Sequence, residues 1–426
     1  MKWKKSNIVK AMTLAIYTIF ALVISSWILN LDLINVNEWA FVCTWLALLL
    51  ILVQSLVVKI LCVKFFSLEY IFLLLCYVFY LGQTFLIHIS YDFGELSFSL
   101  AYVTYGAQRY IISTKYSLIC IVFVFLGLML GCFKGCFPSF SKHHSIACRR
   151  NGMDRSTAQI MFMISAPFEF YSIGIKLFTI LTSTYLDAHG SGGGMLVDLM
   201  SSLFFASLIF FLIESFERSS HGRLVFAAII LYEAFTMLTG QRAMAIIKIF
   251  ICAFVYYQLD KKVNWKSAVK LVVGALILSY VIIIVRNSRA EGFSLQSFNI
   301  TTNGFILFDL ISEFGITGKV VTAAFAKVTE FAGGKSIGCA FLAVIPRWTS
   351  LFGGDLMEKY YTYTALNQEA WGSSFVSDFY FDFGFVGGII ASGIYAFLIG
   401  KFFLKFRTHL SAKASLSASV YAYFVL

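Results

Sequence analysis

From Ala11 to Leu29 the sequence carries no charged residue, and apolar runs of similar length recur along its 426 residues. A run of about 20 apolar residues, wound as a helix, crosses a hydrocarbon core of about 30 Å. Inside lipid every backbone polar group must be satisfied within the protein, which leaves helices and closed barrels. A membrane barrel would alternate over segments of about ten residues, a pattern absent here. The chain therefore reads as an all-α polytopic membrane protein. Its balance of 59% hydrophobic to 13% charged residues agrees, since a soluble domain carries about 25% charged residues.

Windows of about 19 residues place spans near 8–29, 39–58, 66–89, 116–133, 157–180, 196–215, 224–240, 243–259, 268–285 and 383–400. The final "SLSASVYAYFVL" reads as half of a further span, as expected of a truncated chain or of one that lacks a partner segment. The expectation is a single integral membrane domain over 1–426 with about 10–12 transmembrane helices. "MKWKKSNIVK" leads into the first run without a small-residue cleavage site, so that run is a retained span rather than a signal peptide.

The formal charge of +11 resides in short basic clusters between spans, which points to topology signals rather than nucleic acid. With the N-terminus cytoplasmic, the inner segments hold roughly two thirds of the 33 lysines and arginines. Of the outer ones, seven fall in one segment, residues 286–375: Arg286, Arg289, Lys319, Lys327, Lys335, Arg347 and Lys359. A long loop tolerates such charge during translocation, so 286–375 reads as a large periplasmic loop. Val321, Ala324, Phe325, Val328 and Phe331 recur at helical spacing, an amphipathic helix expected on the membrane surface. "IGCAFLAVIPRW" is too short to span and reads as re-entrant or interfacial.

Four arginines gather at the outer face, where no topological rule requires them. Arg242 stands in "LTGQRAMAI" between two spans, Arg286 and Arg289 leave the ninth span, and Arg347 follows the Pro346 break. Each alone is explained as well by snorkelling to lipid phosphates. Together they suit a bound diphosphate, because the planar guanidinium grips oxyanions with two hydrogen bonds. The sequence offers no Asp-x-Asp, no His-Glu-x-x-His and no paired histidines at ligand spacing, so neither a metal nor a cofactor is expected. The nine cysteines form no disulfide framework or zinc pattern. Asp309 and Glu313, and Asp378 and Asp382, are pairs four residues apart on helix-like stretches. Among the ionisable residues inside the runs, Lys176 and Glu233 are expected to face the bundle interior. His189 is outer but isolated.

The segment "WGSSFVSDFYFDFGFVGGIIASGIYAFLIG" resembles the closing motif of bacterial O-antigen and oligosaccharide repeat-unit polymerases of the Wzy type. Its counterparts are Gly372, Ser374, Asp378, Tyr380, Phe383, Gly384 and Gly387. "TGQR" is similar to a Gly-x-Arg at an outer helix junction in that family, and "GKSIGCAFLAVIPRW" to a Gly-x-Ser … Ile-Pro-Arg stretch of its large loop. The resemblance runs from about residue 225 onward. Asp378 stands where glutamate is common, and Ser297 and Ile300 replace the glycines of an Arg-x10-Gly motif found in some members.

The resemblance implies a metal-independent glycosyltransferase with an architecture similar to the GT-C class. Such an enzyme joins undecaprenyl-diphosphate-linked repeat units at the outer face of the bacterial inner membrane, alongside a chain-length regulator. It implies Arg242, Arg286, Arg289 and Arg347 for the diphosphates, Asp378 or Glu369 as the acid–base carboxylate, and Trp371, Tyr360 and Tyr380 against sugar rings. Those aromatics fit an interfacial belt equally well. The alternatives are a lipid-linked oligosaccharide flippase, kept open by Lys176 but opposed by the long outer loop and the arginines clustered at one face, and an O-antigen ligase, for which His189 is too isolated to speak.

Overall fold

The computed structural model describes residues 2–32, 35–61, 67–93, 100–132, 153–182, 195–218, 222–237, 306–342 and 374–408, together with 245, 248–249, 251–253 and 255–256. Among the described residues there is helix and no strand. The elements are α1 (Lys2–Leu29), α2 (Val36–Ile60), α3 (Leu68–His88), α4 (Ala101–Tyr105), α5 (Ala107–Cys132), α6 (Met153–Thr182), α7 (Met195–Arg218), α8 (Gly222–Thr236), α9 (Ile306–Lys327), α10 (Lys335–Leu342) and α11 (Phe375–Thr408). Among the described residues, six helices are long and apolar enough to cross a membrane: Ile8–Leu29, Val36–Ile60, Glu69–His88, Ala107–Cys132, Ala158–Thr179 and Phe375–Leu404. The polytopic all-helical reading holds. The expected span at 268–285 lies outside the described residues.

The contacts divide the chain into two compact units, residues 1–141 with 303–405 and residues 142–302 with 406–426. In the first, α5 is the hub, with Tyr116, Leu118, Val122, Phe125 and Leu128 wholly buried. Ile16, Ile19 and Val23 of α1 and Leu52 and Leu56 of α2 face outward instead. Lipid tails are as apolar as these side chains, so the bundle is joined by close packing and internal polar pairs rather than by the hydrophobic effect. Trp39 Nε1 donates to Thr114 Oγ1 (2.6 Å), Tyr77 donates to Gln54 Oε1 (2.9 Å), and Gln54 Nε2 donates to Tyr17 (3.1 Å). α5 begins ahead of its apolar window because Tyr110, Ser113 and Ser117 are buried among helices, not turned to lipid.

The helix expected on the membrane surface is α9, and it packs along α3, α4 and α5. Val321 and Ala324 are buried as their spacing requires, but the helix ends at Lys327, before Val328 and Phe331. It runs antiparallel to α3: Tyr91 beyond one end of α3 donates to Asp309, while Gly318 lies against the Tyr80 carbonyl. Gly82 and Gly315 let the two backbones touch; a Cβ on Gly82 would sit 2.9 Å from the Ile311 carbonyl oxygen. Ser113 of α5 shares a hydrogen bond with Thr322 (2.7 Å).

α11 is not one straight rod. At 1.5 Å per residue, Phe375 and Tyr395 would lie about 30 Å apart in a continuous helix. Their ring centroids are 5.2 Å apart, and those of Phe379 and Tyr395 are 5.6 Å apart. The chain folds back at Gly384, whose φ of 70° and ψ of −163° lie in a region essentially restricted to glycine. A first arm, residues 375–383, thus leads into a second, residues 385–408. The second arm runs parallel to α5, with Gly127 against Gly393, Gly131 against Phe397, and Cys132 donating to the Gly400 carbonyl (3.3 Å). Residues 385–404 still reach about 30 Å, enough for one crossing.

The second unit is built on α6, α7 and α8. α6 packs along α7 through Phe162 and Phe204, with centroids 5.3 Å apart, and carries Pro167 within it.

Candidate active site

The first arm of α11 begins deep in its unit. Phe375 lies between Phe72 (6.1 Å) and Tyr80 (5.8 Å), about 18 Å along α3 from its His88 end at 1.5 Å per residue. Ser374 caps this arm by accepting the Ser377 backbone N–H (3.2 Å), and Ser377 Oγ donates both to the Ser374 carbonyl (2.8 Å) and to Asp378 Oδ1 (3.2 Å). The Tyr80 hydroxyl is hydrogen-bonded to Ser374. Ser374 and Ser377 are buried, whereas Asp378 is half-buried. Asp378 lies in the first turn of this arm, where the helix dipole favours an anionic side chain.

Asp382, four residues on, has a different task. Its Oδ1 accepts from Ser336 N (3.1 Å), and its Oδ2 accepts from Ser336 Oγ (2.6 Å) and Ile337 N (3.1 Å). These are the second and third residues of α10, so Asp382 caps the open N-terminus of that helix from a distant part of the chain. The backbone is stitched alongside: Ala332 N donates to the Phe381 carbonyl (3.0 Å) and Gly333 N to the Asp382 carbonyl (2.8 Å). With three donors and 1% exposure, Asp382 is a structural carboxylate. The signal in the sequence is "AGGKS", a helix start preceded by glycines that bring no acceptor of their own. Beside it, burial and then the charge of Asp382 push the Cys339 thiol above its ordinary pKa.

Tyr380 is the only expected sugar-facing residue among the described ones. Its ring stacks on Phe325 (3.8 Å, 18°) and meets Tyr116 (5.5 Å) and Phe331 (5.8 Å) nearly edge-on. This cluster joins α5, α9 and both sides of the Gly384 fold. Phe331 covers Gly384 so closely that a Cβ there would sit 2.9 Å from its ring. Arg242, Arg286, Arg289, Arg347, Glu369, Trp371 and Tyr360 lie outside the described residues. Asp378 and Tyr380 thus stand on one arm but on different faces of it, Asp378 with Ser377 and Tyr380 in the aromatic cluster, and the structure adds Ser374, Ser377 and Tyr80, which the sequence pattern does not single out as a group.

The second unit buries charge as well. Lys176 (9% exposed) and Glu233 (0%) face the interior, as expected from their cost in lipid. Tyr232 donates to Glu169 between α8 and α6, and Glu233 lies 3.8 Å from Lys248.

Compared with known proteins, the chain matches a family model described as O-antigen polysaccharide polymerase Wzy over residues 12–426. No curated protein and no solved structure matches it.

Proposed function

The chain belongs to the O-antigen polysaccharide polymerase Wzy family, and from that premise we propose that it joins undecaprenyl-diphosphate-linked repeat units at the periplasmic face of the inner membrane, without a metal. The family makes it a glycosyltransferase-type polymerase acting on lipid-linked oligosaccharide. The match over nearly the whole chain carries this reading, and the six apolar helices agree with a lipid-borne substrate.

In the proposed reaction an acceptor sugar hydroxyl attacks the anomeric carbon of the donor. The new C–O bond forms as the bond to the lipid diphosphate breaks, and its electron pair leaves on the diphosphate. Arg242, Arg286, Arg289 and Arg347 meet that charge, because cations fixed in a water-poor site need no reorganisation as it develops. Asp378 or Glu369 takes the hydroxyl proton. The half-buried carboxylate of Asp378, accepting from Ser377, supports it for this role, and the saturated Asp382 is excluded from it. Trp371, Tyr360 and Tyr380 face the sugars, and of Tyr380 one face is already taken by Phe325. A chain-length regulator acts beside the enzyme, and the N-terminus is cytoplasmic.

The test is a gel of surface polysaccharide from a deletion strain complemented with the native or altered chain. Deletion collapses the ladder to a single repeat on the lipid core, since export and ligation still operate. Loss of even that single repeat would instead indicate a flippase or ligase.

A further inference from the structure

Tyr80 and Tyr116 each place a hydroxyl where a phenylalanine would fill the same space. Tyr80, on α3, is 4% exposed, and Tyr116, on α5, is wholly buried. A phenol buried among apolar groups is costly unless its hydroxyl is bonded, and both hydroxyls are bonded to the same short stretch of chain. The Tyr80 hydroxyl accepts the Val376 backbone N–H and is hydrogen-bonded to Ser374. The Tyr116 hydroxyl donates to the Val376 carbonyl (3.3 Å). Two helices that pack against each other thus hold Val376, itself wholly buried, by both of its backbone groups.

Val376 stands two residues before Asp378 in the same helical turn, and Asp378 N donates to the Ser374 carbonyl (2.9 Å). The carboxylate therefore cannot shift without the turn that the tyrosines hold. Ser377, between the two, fixes the side chain through Oδ1 (3.2 Å). At its far end the arm is held by Asp382 on the start of α10, so it is pinned at both start and tip. Apolar contacts alone fix such an arm loosely, because each side chain that leaves the bundle finds lipid that is as apolar. A hydrogen bond weakens steeply as its angle falls toward about 120°, so it sets rotation as well as height.

We propose that the hydroxyls of Tyr80 and Tyr116 are positioning groups, which hold the first turn of the α11 arm so that the Asp378 carboxylate meets the attacking sugar hydroxyl. The inference rests on the reading of Asp378 given above. Both tyrosines act through Ser374 and Val376, not on the substrate. Their value lies in rate, since a misplacement of about 1 Å at a reacting group costs on the order of a hundredfold.

The experiment uses the full chain in proteoliposomes, with the lipid-linked single repeat extracted from the deletion strain as donor and acceptor. The variants are Tyr80→Phe and Tyr116→Phe, each alone and with Asp378→Asn, and Tyr77→Phe as the control. Tyr77 is a buried tyrosine of the same helix as Tyr80, but it donates to Gln54 of α2 rather than to the arm. Tyr80→Phe and Tyr116→Phe are each expected at native abundance with kcat lowered about tenfold and KM unchanged, while Tyr77→Phe keeps the native rate. With Asp378→Asn in place, neither change should lower the residual rate further, because changes acting through one group are not additive. A native kcat from either variant, a loss confined to KM, or an equal loss from Tyr77→Phe overturns the proposal while leaving Asp378 in the site. So does the same tenfold loss on top of Asp378→Asn. A native rate from Asp378→Asn itself overturns the reading of Asp378, and this proposal with it. If Tyr80→Phe fails to accumulate, Tyr116→Phe decides; if neither accumulates, the hydroxyls are structural and the proposal is refuted.

Discussion

Ser336 donates its hydroxyl to Asp382 Oδ2 at 2.6 Å, across 46 positions of sequence and two residues before the fold at Gly384. This contact fastens α10 to the tip of the α11 hairpin, so α10 and the arm bearing Asp378 share one anchor. Asp382→Ala removes an acceptor from three donors, two of them otherwise unpaired N–H groups at a helix start. The expected loss is about 2 kcal/mol. It is checked by thermal melting of the detergent-solubilised chain, and the polysaccharide ladder should shorten because Asp378 is held by the same arm.

The same anchor sets the reactivity of Cys339. Its thiol is buried and its pKa is raised, so at neutral pH it is held in the protonated, unreactive form. Raising the pH through that pKa creates thiolate, so alkylation should rise with pH later than for an ordinary cysteine. In Asp382→Ala both burial and the neighbouring charge are relieved, and the labelling curve should move to lower pH. Mass spectrometry of the Cys339 peptide after maleimide treatment across a pH series reads this directly.

Gly384 and Gly174 give opposite expectations for one substitution. At Gly384 a Cβ meets the Phe331 ring at 2.9 Å with φ at 70°. Alanine there costs on the order of 1–3 kcal/mol from backbone strain, before the clash is counted. At Gly174, within α6, a Cβ meets nothing within 4 Å, and alanine should stabilise by roughly 0.5–1 kcal/mol. Abundance and melting of the two variants side by side check the contrast.

Much of the fold is legible in the sequence because lipid imposes a length on every crossing. The windows at 8–29 and 157–180 differ from Ile8–Leu29 and Ala158–Thr179 by little. Hydropathy fails where a helix is polar for internal reasons. α9 carries Asp309 and Lys319, both buried, and by its pattern alone reads as a surface element. Gly315 and Gly318, which let it press against α3, are the sequence signal for its true place. The fold-back of α11 is only half legible: the window at 383–400 begins where the second arm begins, because Asp378 and Asp382 lower the hydropathy of the first, but the reversal itself is marked only by the positive φ of Gly384. Likewise the spacing of Asp378 and Asp382 predicts a shared face, but not that a second helix start would claim the carboxylate of Asp382.

Asp378 is where the proposed chemistry and the observed geometry meet, and its substitutions separate charge from shape. An asparagine at this position would keep the size and the capacity to accept from Ser377 but could not take up a proton from an attacking hydroxyl. Asp378→Asn should therefore lower polymerisation by about two to four orders of magnitude, the usual contribution of a positioned base, at native abundance. Asp378→Glu lengthens the side chain by one methylene while keeping the carboxylate, and should retain a shortened ladder. Ser377→Ala removes only one hydrogen bond to the carboxylate and should cost about tenfold or less, as about 1 kcal/mol would. Initial rates with the extracted single repeat check the series. If Asp378→Asn polymerises at the native rate, the proton passes instead to Glu369, and Glu369→Gln should then show the loss.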